Sequence, residues 1–327
     1  MQAIFRKQFG APDVLELVER PEPELKPDTV MIDVRAFGLN HADLYMRSGH
    51  WGEVAAISGI ECVGRVAADA SGRLRPGQTV MALMGGMGRS IDGSYASRTV
   101  VPAANVIAVD TSLPWERLAV LPESYATAWT CLHRNLALQP GQRLVVRGGT
   151  SSLGQAAIDL ARQLGAEVIA TTRQEASLPL LRELGAHGVL LRDGELAAAL
   201  PAGGKADAVL DLIGNSTVLD SMRATGRGGR VCLAGFLGGL EALAGFDPLS
   251  QMPSGVQLSF FGSFNFGGGE FPLSDLPMQQ IVALAEAGQL RARPARVFDF
   301  AEVPLAHRLM ESNQARGKFV VRVDRAA

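Results

Sequence analysis

LVVRGGTSSLGQAAIDLARQLGAEVIATTR, running from Leu144 to Arg173, reads as strand, turn, helix and strand in succession. The run 144–147 has strand length, the next six residues are small or turn-forming, and Gly154 is expected to open a helix over about 154–164. The positive end of that helix faces the turn, where backbone N–H groups can approach an anion only if side chains are small. Gly154 allows close packing of helix on strand. The pattern is G-x-x-S-x-x-G, with Ser151 where a stricter fingerprint has glycine, and its strand-turn-helix-strand context gives it weight. Thr150, Ser151, Ser152 and Leu153 are therefore candidate contacts to a dinucleotide pyrophosphate. The competing reading is a tight turn without a ligand.

The second strand of the motif, EVIATT at 167–172, separates the two nicotinamide cofactors. NAD enzymes usually end this strand on a carboxylate that binds the ribose 2′-OH. Here it ends on Thr171, Thr172 and Arg173, and the first carboxylate is Glu175. A guanidinium can grip a 2′-phosphate through two charge-assisted bonds, so Thr172 and Arg173 point to NADPH rather than NADH. With 27 arginines against four lysines, a merely solvated arginine is the rival reading.

Outward from this motif the same grammar continues: a helix near 177–184, strands at VLL (189–191), AVLDLI, RVCLAG and QLSFFG, and a helix near 217–225. Apolar strands alternating with amphipathic helices require a parallel sheet covered on both faces, a doubly wound α/β domain. Upstream, residues 1–109 hold short β-rich runs punctuated by Gly and Pro, among them VMIDVRAFG, TVMALM and NVIAV. A helical pattern begins at ESYATAWTCLHRNLAL, which places a domain change near Pro122. A helix near 277–287 and the strand FVVRV at 319–323 do not extend the α/β repeat and are expected to return to the first unit. The expected division is 1–122, 123–268 and 269–327.

Composition excludes several classes. The 327 residues are 47% hydrophobic and 20% charged, and 31 basic against 33 acidic residues leave a net charge of −2, so neither nucleic acid nor an anionic membrane surface is favoured as a partner. The longest uncharged apolar stretch, 231–240, has ten residues and three glycines, too short for a membrane span. Cys62, Cys131 and Cys232 form no C-x-x-C pair, and no apolar signal segment precedes Pro12, so a reducing cytoplasm is expected. His41, His50, His133, His187 and His307 show no metal-binding spacing.

These motifs, together with GLNHADLYMRSG at 38–49, SGIECVGRV at 58–66, ESYATAWTCL at 123–132, DLIGNSTVLDSMRATGRGGRVCLAG and RLMESNQARGKFVV, resemble the zinc-independent quinone oxidoreductases of the medium-chain dehydrogenase/reductase superfamily. The resemblance implies a GroES-like, β-rich catalytic domain built from both chain ends, a Rossmann cofactor domain between them, and an active-site cleft at their junction. It also implies a homodimer, for which QLSFFGSFNF at 257–266 is a plausible apolar edge. Zinc-dependent relatives carry a ligand cysteine where this chain has Asn40, and Gly-His-Glu where it has Gly59, Ile60 and Glu61, so no catalytic zinc is expected.

By the same resemblance, Asn40 sits beside the nicotinamide and Tyr45 lines the acceptor pocket, where its phenol could orient or protonate an oxygen gaining negative charge. Asp43 is expected to cap or orient backbone rather than act as a general base. Thr127, Asn215, Gly235, Phe236, Leu237, Phe261, Ser263 and Lys318 match family contacts to the cofactor. Arg192 stands where relatives often have an aromatic against the adenosine, which puts that stacking in doubt but offers a second 2′-phosphate partner. Trp51, His50 and Phe266 are candidates for shaping the acceptor pocket.

The expected activity is metal-free, NADPH-dependent reduction of a quinone. A reductase of alkenals or enones is the alternative, since hydride addition at Cβ needs the same donors near the oxygen. A non-catalytic NADPH-binding or RNA-binding protein is the alternative outside enzymes, and the near-neutral charge argues against RNA.

Overall fold

A computed structural model of the chain describes residues 1–191, 195–200 and 204–323. The chain divides into two compact units, one formed by residues 1–126 and 263–327, the other by residues 127–262.

The first unit is built on a seven-stranded sheet in the order Arg296–Asp299, Phe319–Arg322, Thr29–Gly38, Glu61–Asp69, Thr79–Leu83, Val106–Ala108, with Arg98–Pro102 also paired to Thr29–Gly38. Pairing is antiparallel except between Arg296–Asp299 and Phe319–Arg322. Alternation along Thr29–Gly38 sends Val30, Ile32 and Val34 inward, as a half-buried strand requires. They meet Phe298, Phe319 and Tyr95, and the Phe37 and Tyr95 rings stack at 4.6 Å. A separate ribbon pairs Gln2–Arg6 with Leu15–Glu19. The C-terminal segment belongs to this unit: Val320, Val321 and Arg322 register against Gly38, Phe37 and Ala36.

The second unit carries six parallel strands in the order His187–Leu190, Glu167–Thr172, Arg143–Arg147, Ala206–Asp211, Thr225–Leu233, Gln257–Phe260. Numbered within the unit this is 3-2-1-4-5-6, the doubly wound order whose reversal lies between Arg143–Arg147 and Ala206–Asp211. Val145, Ile169, Val209 and Val231 are buried at the centre, consistent with strands covered on both faces. Gln257–Phe260 is one edge strand, with Leu258 and Phe260 exposed, and His187–Leu190 is the other.

Two sequence expectations need correction. The helix after the turn spans Ser152–Gln163, so Gly154 is its third residue rather than its first, because Ser151 is the N-cap. The helical stretch from 123 is an α-helix, Pro122–Thr130, that runs into a π-turn at Cys131–Asn135.

Candidate active site

The candidate residues fall into two groups, one in each unit. In the second unit, the carboxyl ends of the first, second, fourth and fifth strands carry them. Strand Arg143–Arg147 ends in Gly148, whose φ of +83° suits a residue without a side chain. Gly149 donates its N–H to Thr171 O (3.1 Å), and Gly148 donates to Thr171 Oγ1 (3.3 Å), which ties the turn to the neighbouring strand. A Cβ on Gly154 would stand 2.4 Å from Gly148 O, so only glycine lets the helix approach this closely.

Ser151 closes the turn. Its hydroxyl donates to Gly148 O (2.8 Å) and accepts from Gly154 N–H (3.0 Å), while its own N–H also goes to Gly148 O (3.1 Å). The serine that replaces a glycine of the stricter fingerprint is therefore the helix cap, and both of its donors are spent inside the loop. Among the described residues, the N–H groups of Ser152 and Leu153 take no protein acceptor, which leaves the helix N-terminus open to an anion.

At the end of the adjacent strand, Thr172 Oγ1 accepts from Gln174 N–H (3.1 Å). Arg173 is exposed and has no hydrogen-bond or ion-pair partner among the described residues. Arg192 lies outside the described residues. Thr150 gives its carbonyl to Gln155 Nε2 (3.0 Å). A Cβ on Gly148 would lie 3.3 Å from both Ile213 Cδ1 and Leu237 Cδ1, so Leu237 packs beside the turn. Gly235 lies against Leu212 O, and Phe236 lies against Gly214.

Other candidates are less available. Asn215 donates its amide to Glu241 O (2.7 Å), Phe261 is buried and continues the strand register by donating to Leu233 O (3.0 Å), and Thr127 is buried. Beneath the strand ends lies a polar network that sequence reading missed. Arg147, 5% exposed, bonds Asp220 Oδ2 (2.6 Å), and Asp211 accepts from Ser221 Oγ (2.5 Å), Thr217 Oγ1 and the N–H groups of Ile213 and Gly214. Its function is to fix the loops that follow both strands.

In the first unit, Asn40 follows strand Thr29–Gly38 and caps helix His41–Ser48. It donates its N–H to Asp43 Oδ2 (2.8 Å), and its carbonyl accepts from Asp43 N–H (3.0 Å). Asp43 thus has the capping role expected of it. The Asn40 side chain is held by two buried charges: Oδ1 accepts from Lys318 Nζ (2.7 Å) and Nδ2 donates to Glu61 Oε1 (2.8 Å). Because Lys318 can only donate, the amide orientation is fixed and one Nδ2–H remains. Lys318 also pairs with Glu61 Oε1, and Glu61 Oε2 accepts from Glu123 N–H (2.8 Å). Gly38 makes room: a Cβ there would stand 2.1 Å from Lys318 Cε.

In this arrangement Lys318 is 2% exposed and turned onto Glu61 and Asn40. The arrangement also bears on zinc. Asn40 and Glu61, the residues nearest in position to a zinc ligand set, are occupied by an ammonium, and among the described residues no group of three or more His, Cys, Asp or Glu could hold a metal. The donor set does not fit catalytic zinc.

Tyr45 lies on the same helix, half-buried, with its ring edge-on to His41 at 5.0 Å; burial raises its phenol pKa, so it stays protonated. Burial lowers the pKa of His41, against an opposing pull from Glu311. Below the helix, Asp43, Tyr95 and His307 are all fully buried, with Tyr95 Oη 3.1 Å from His307 Nε2. Burial pushes Asp43 up to about 7 and His307 down to about 3. Ser263 begins a short 3-10 turn, and Phe266 is buried, its carbonyl accepting from Asn105 Nδ2 (2.9 Å). No helix among the described residues is long and apolar enough to cross a membrane.

Comparison with known proteins places these features in a family. Residues 26–111 match the alcohol dehydrogenase GroES-like domain, and residues 184–321 match the family described as zinc-binding dehydrogenase. The chain is 32% identical over 302 residues to the polyketide synthase GfsB of Streptomyces halstedii, covering 91% of this chain but 5% of that protein. It spans between 5% and 14% of the length of the first polyketide synthases it matches. It is 28% identical over 350 residues to a mitochondrial NAD(P)H oxidoreductase of Danio rerio, covering 97% of this chain and 89% of that one. The quinone oxidoreductase of Coxiella burnetii superposes with a TM-score of 0.85 at 25% identity, covering 99% of both chains. With its doubly wound second unit and its GroES-like first unit, the chain belongs to the medium-chain dehydrogenase/reductase superfamily.

Proposed function

We propose that the protein is a metal-independent NADPH reductase of quinones. The observation that carries this reading is Arg173, which has no partner among the described residues and stands at the same end of the parallel sheet as the open N–H groups of Ser152 and Leu153. The helix N-terminus suits a pyrophosphate, and the guanidinium suits a 2′-phosphate that NADH lacks. Leu237, Gly235 and Phe236 fit beside the same turn as further cofactor contacts, with Thr150 and Thr172.

When bound, the reduced nicotinamide supplies a hydride from C4 to an electron-poor acceptor. The chain's own residues provide the rest. The free Nδ2–H of Asn40, aimed by Lys318 and Glu61, donates a hydrogen bond to oxygen that gains charge, and the protonated phenol of Tyr45 donates a second. Positioned donors of this kind substitute for a Lewis acid. A homodimer formed through the exposed edge strand Gln257–Phe260 and a cytoplasmic location complete the proposal.

The same two donors equally serve a second reading, reduction of an α,β-unsaturated carbonyl. Initial rates with a para-quinone and with a linear alkenal, each with NADPH and NADH, separate these. Faster turnover of the quinone with NADPH supports the first reading, faster turnover of the alkenal the second, and no turnover of either overturns both.

A further inference from the structure

The loop 84–94 follows strand Thr79–Leu83 and is laced to the segment that delivers Glu61. Gly88 O accepts from Ala55 N–H (3.1 Å), Gly93 donates to Ile57 O (2.8 Å), and Ser94 Oγ donates to Glu61 O (2.5 Å). Gly85, Gly86 and Gly88 all have positive φ, so the loop path is set by residues that tolerate it. At its crest, half-buried Arg89 puts its guanidinium carbon 6.0 Å from the Trp51 ring centre and 5.6 Å from that of Phe264.

Among the described residues this guanidinium has no counter-ion. Its Nε is buried without a hydrogen-bond acceptor, and no carboxylate pairs with it among the described residues. Asp92, on the same loop, accepts from Ile57 N–H instead (3.3 Å). Buried Arg147 and the partly exposed Arg98 and Arg143 each have a carboxylate partner. The Trp51 and Phe264 rings lie within cation–π reach of the guanidinium, and a planar guanidinium is suited to a two-oxygen anion.

We infer that Arg89 recognises an anionic group on the acceptor, so that the preferred substrates are quinones or enones bearing a carboxylate, sulfonate or phosphate away from the reducible centre. This rests on the reductase reading above. An anion could also come from the cofactor, and the test separates the two sources.

The probes are a para-benzoquinone bearing one sulfonate and a neutral alkyl para-benzoquinone, with NADPH. The wild-type ratio of kcat/KM, sulfonated over neutral, is expected to fall about tenfold in Arg89→Gln, the loss of one charge-assisted pair, and to recover in part in Arg89→Lys. In the wild type the same ratio falls as salt is raised. A ratio that does not move with either substitution overturns the inference. So does an Arg89→Gln variant whose KM for NADPH rises while both acceptor KM values hold, since the anion would then be the cofactor's. If neither quinone turns over, the reductase reading fails, and calorimetric titration with the sulfonated hydroquinone still reads Arg89. Binding about tenfold weaker in Arg89→Gln would support it, and equal binding would overturn it.

Discussion

Lys318 sets its ammonium on the carboxylate of Glu61, and both side chains are sealed from water, 1% and 0% exposed. The pair is separated by 257 residues in the chain yet directly fixes the amide of Asn40. A buried pair of this kind costs much to desolvate, and removing one partner leaves the other charge without compensation.

Lys318→Met is therefore expected to lower the unfolding free energy by about 3–5 kcal/mol in urea titration. The double variant Glu61→Gln with Lys318→Met removes both charges and should recover a large part of that loss. If the two single substitutions simply add, the residues do not act as a unit.

Gly154→Ala tests the phosphate turn. In an ordinary helix the change adds about 1 kcal/mol of stability. Here the new methyl group meets Gly148 O at 2.4 Å and Gly149 Cα at 2.9 Å, both backbone atoms. The expected outcome is a loss of about 1–3 kcal/mol and weakened binding of NADPH, measured by thermal unfolding with and without cofactor. A stabilised variant with intact binding would show that the turn has slack.

Arg173→Ala is expected to lower the ratio of kcat/KM for NADPH over NADH by roughly 10- to 100-fold, the range for one charge-assisted contact to a phosphate. Steady-state kinetics with both cofactors read it directly. An unchanged ratio would assign the 2′-phosphate to another residue or remove the preference altogether.

The buried groups Asp43 and His307 give opposite pH dependences. His307 sits at about 3 against an ordinary 6.5, so the folded state binds fewer protons in that window and its contribution to stability is lost as pH falls. Asp43 sits at about 7 against an ordinary 3.8, so its contribution is present at low pH and is lost as pH rises through 7. In the wild type the two slopes oppose one another between about 4 and 6.5. Asp43→Asn should leave a protein that weakens as pH drops below 6.5, by up to about 1.4 kcal/mol per unit, and His307→Gln one that weakens as pH rises. Urea midpoints across pH 4–7.5 would show the two trends; parallel trends would contradict the assigned directions.

Much of this architecture was legible in the sequence because it is local. The strand expected at 167–172 is Glu167–Thr172, and the helices expected near 217–225 and 277–287 are Val218–Ala224 and Met278–Glu286. Apolar periodicity and flanking glycines carry that information within a dozen residues. The start of helix Ser152–Gln163 was misread because a serine cap with glycine at N3 lacks the acidic residue that marks a capping box. The π-turn at Cys131–Asn135 has no separate signature, since one wider turn leaves the apolar pattern almost unchanged. The site itself divides in the same way. Asn40 and the glycine turn could be found from motifs, whereas the roles of Glu61, Lys318 and Arg89 depend on partners distant in the chain, about which periodicity is silent.

The return of the C-terminal strand to Gly38, Phe37 and Ala36 has a consequence for the order in which the protein matures. During synthesis, at about 5–20 residues per second, the whole six-stranded second unit can emerge and fold while Glu61 is still waiting for its cation. Until the ribosome has released Lys318, the first unit holds a buried carboxylate and an amide without the ammonium that bonds both. Lys318, made after the whole of the second unit, therefore completes the arrangement around Asn40.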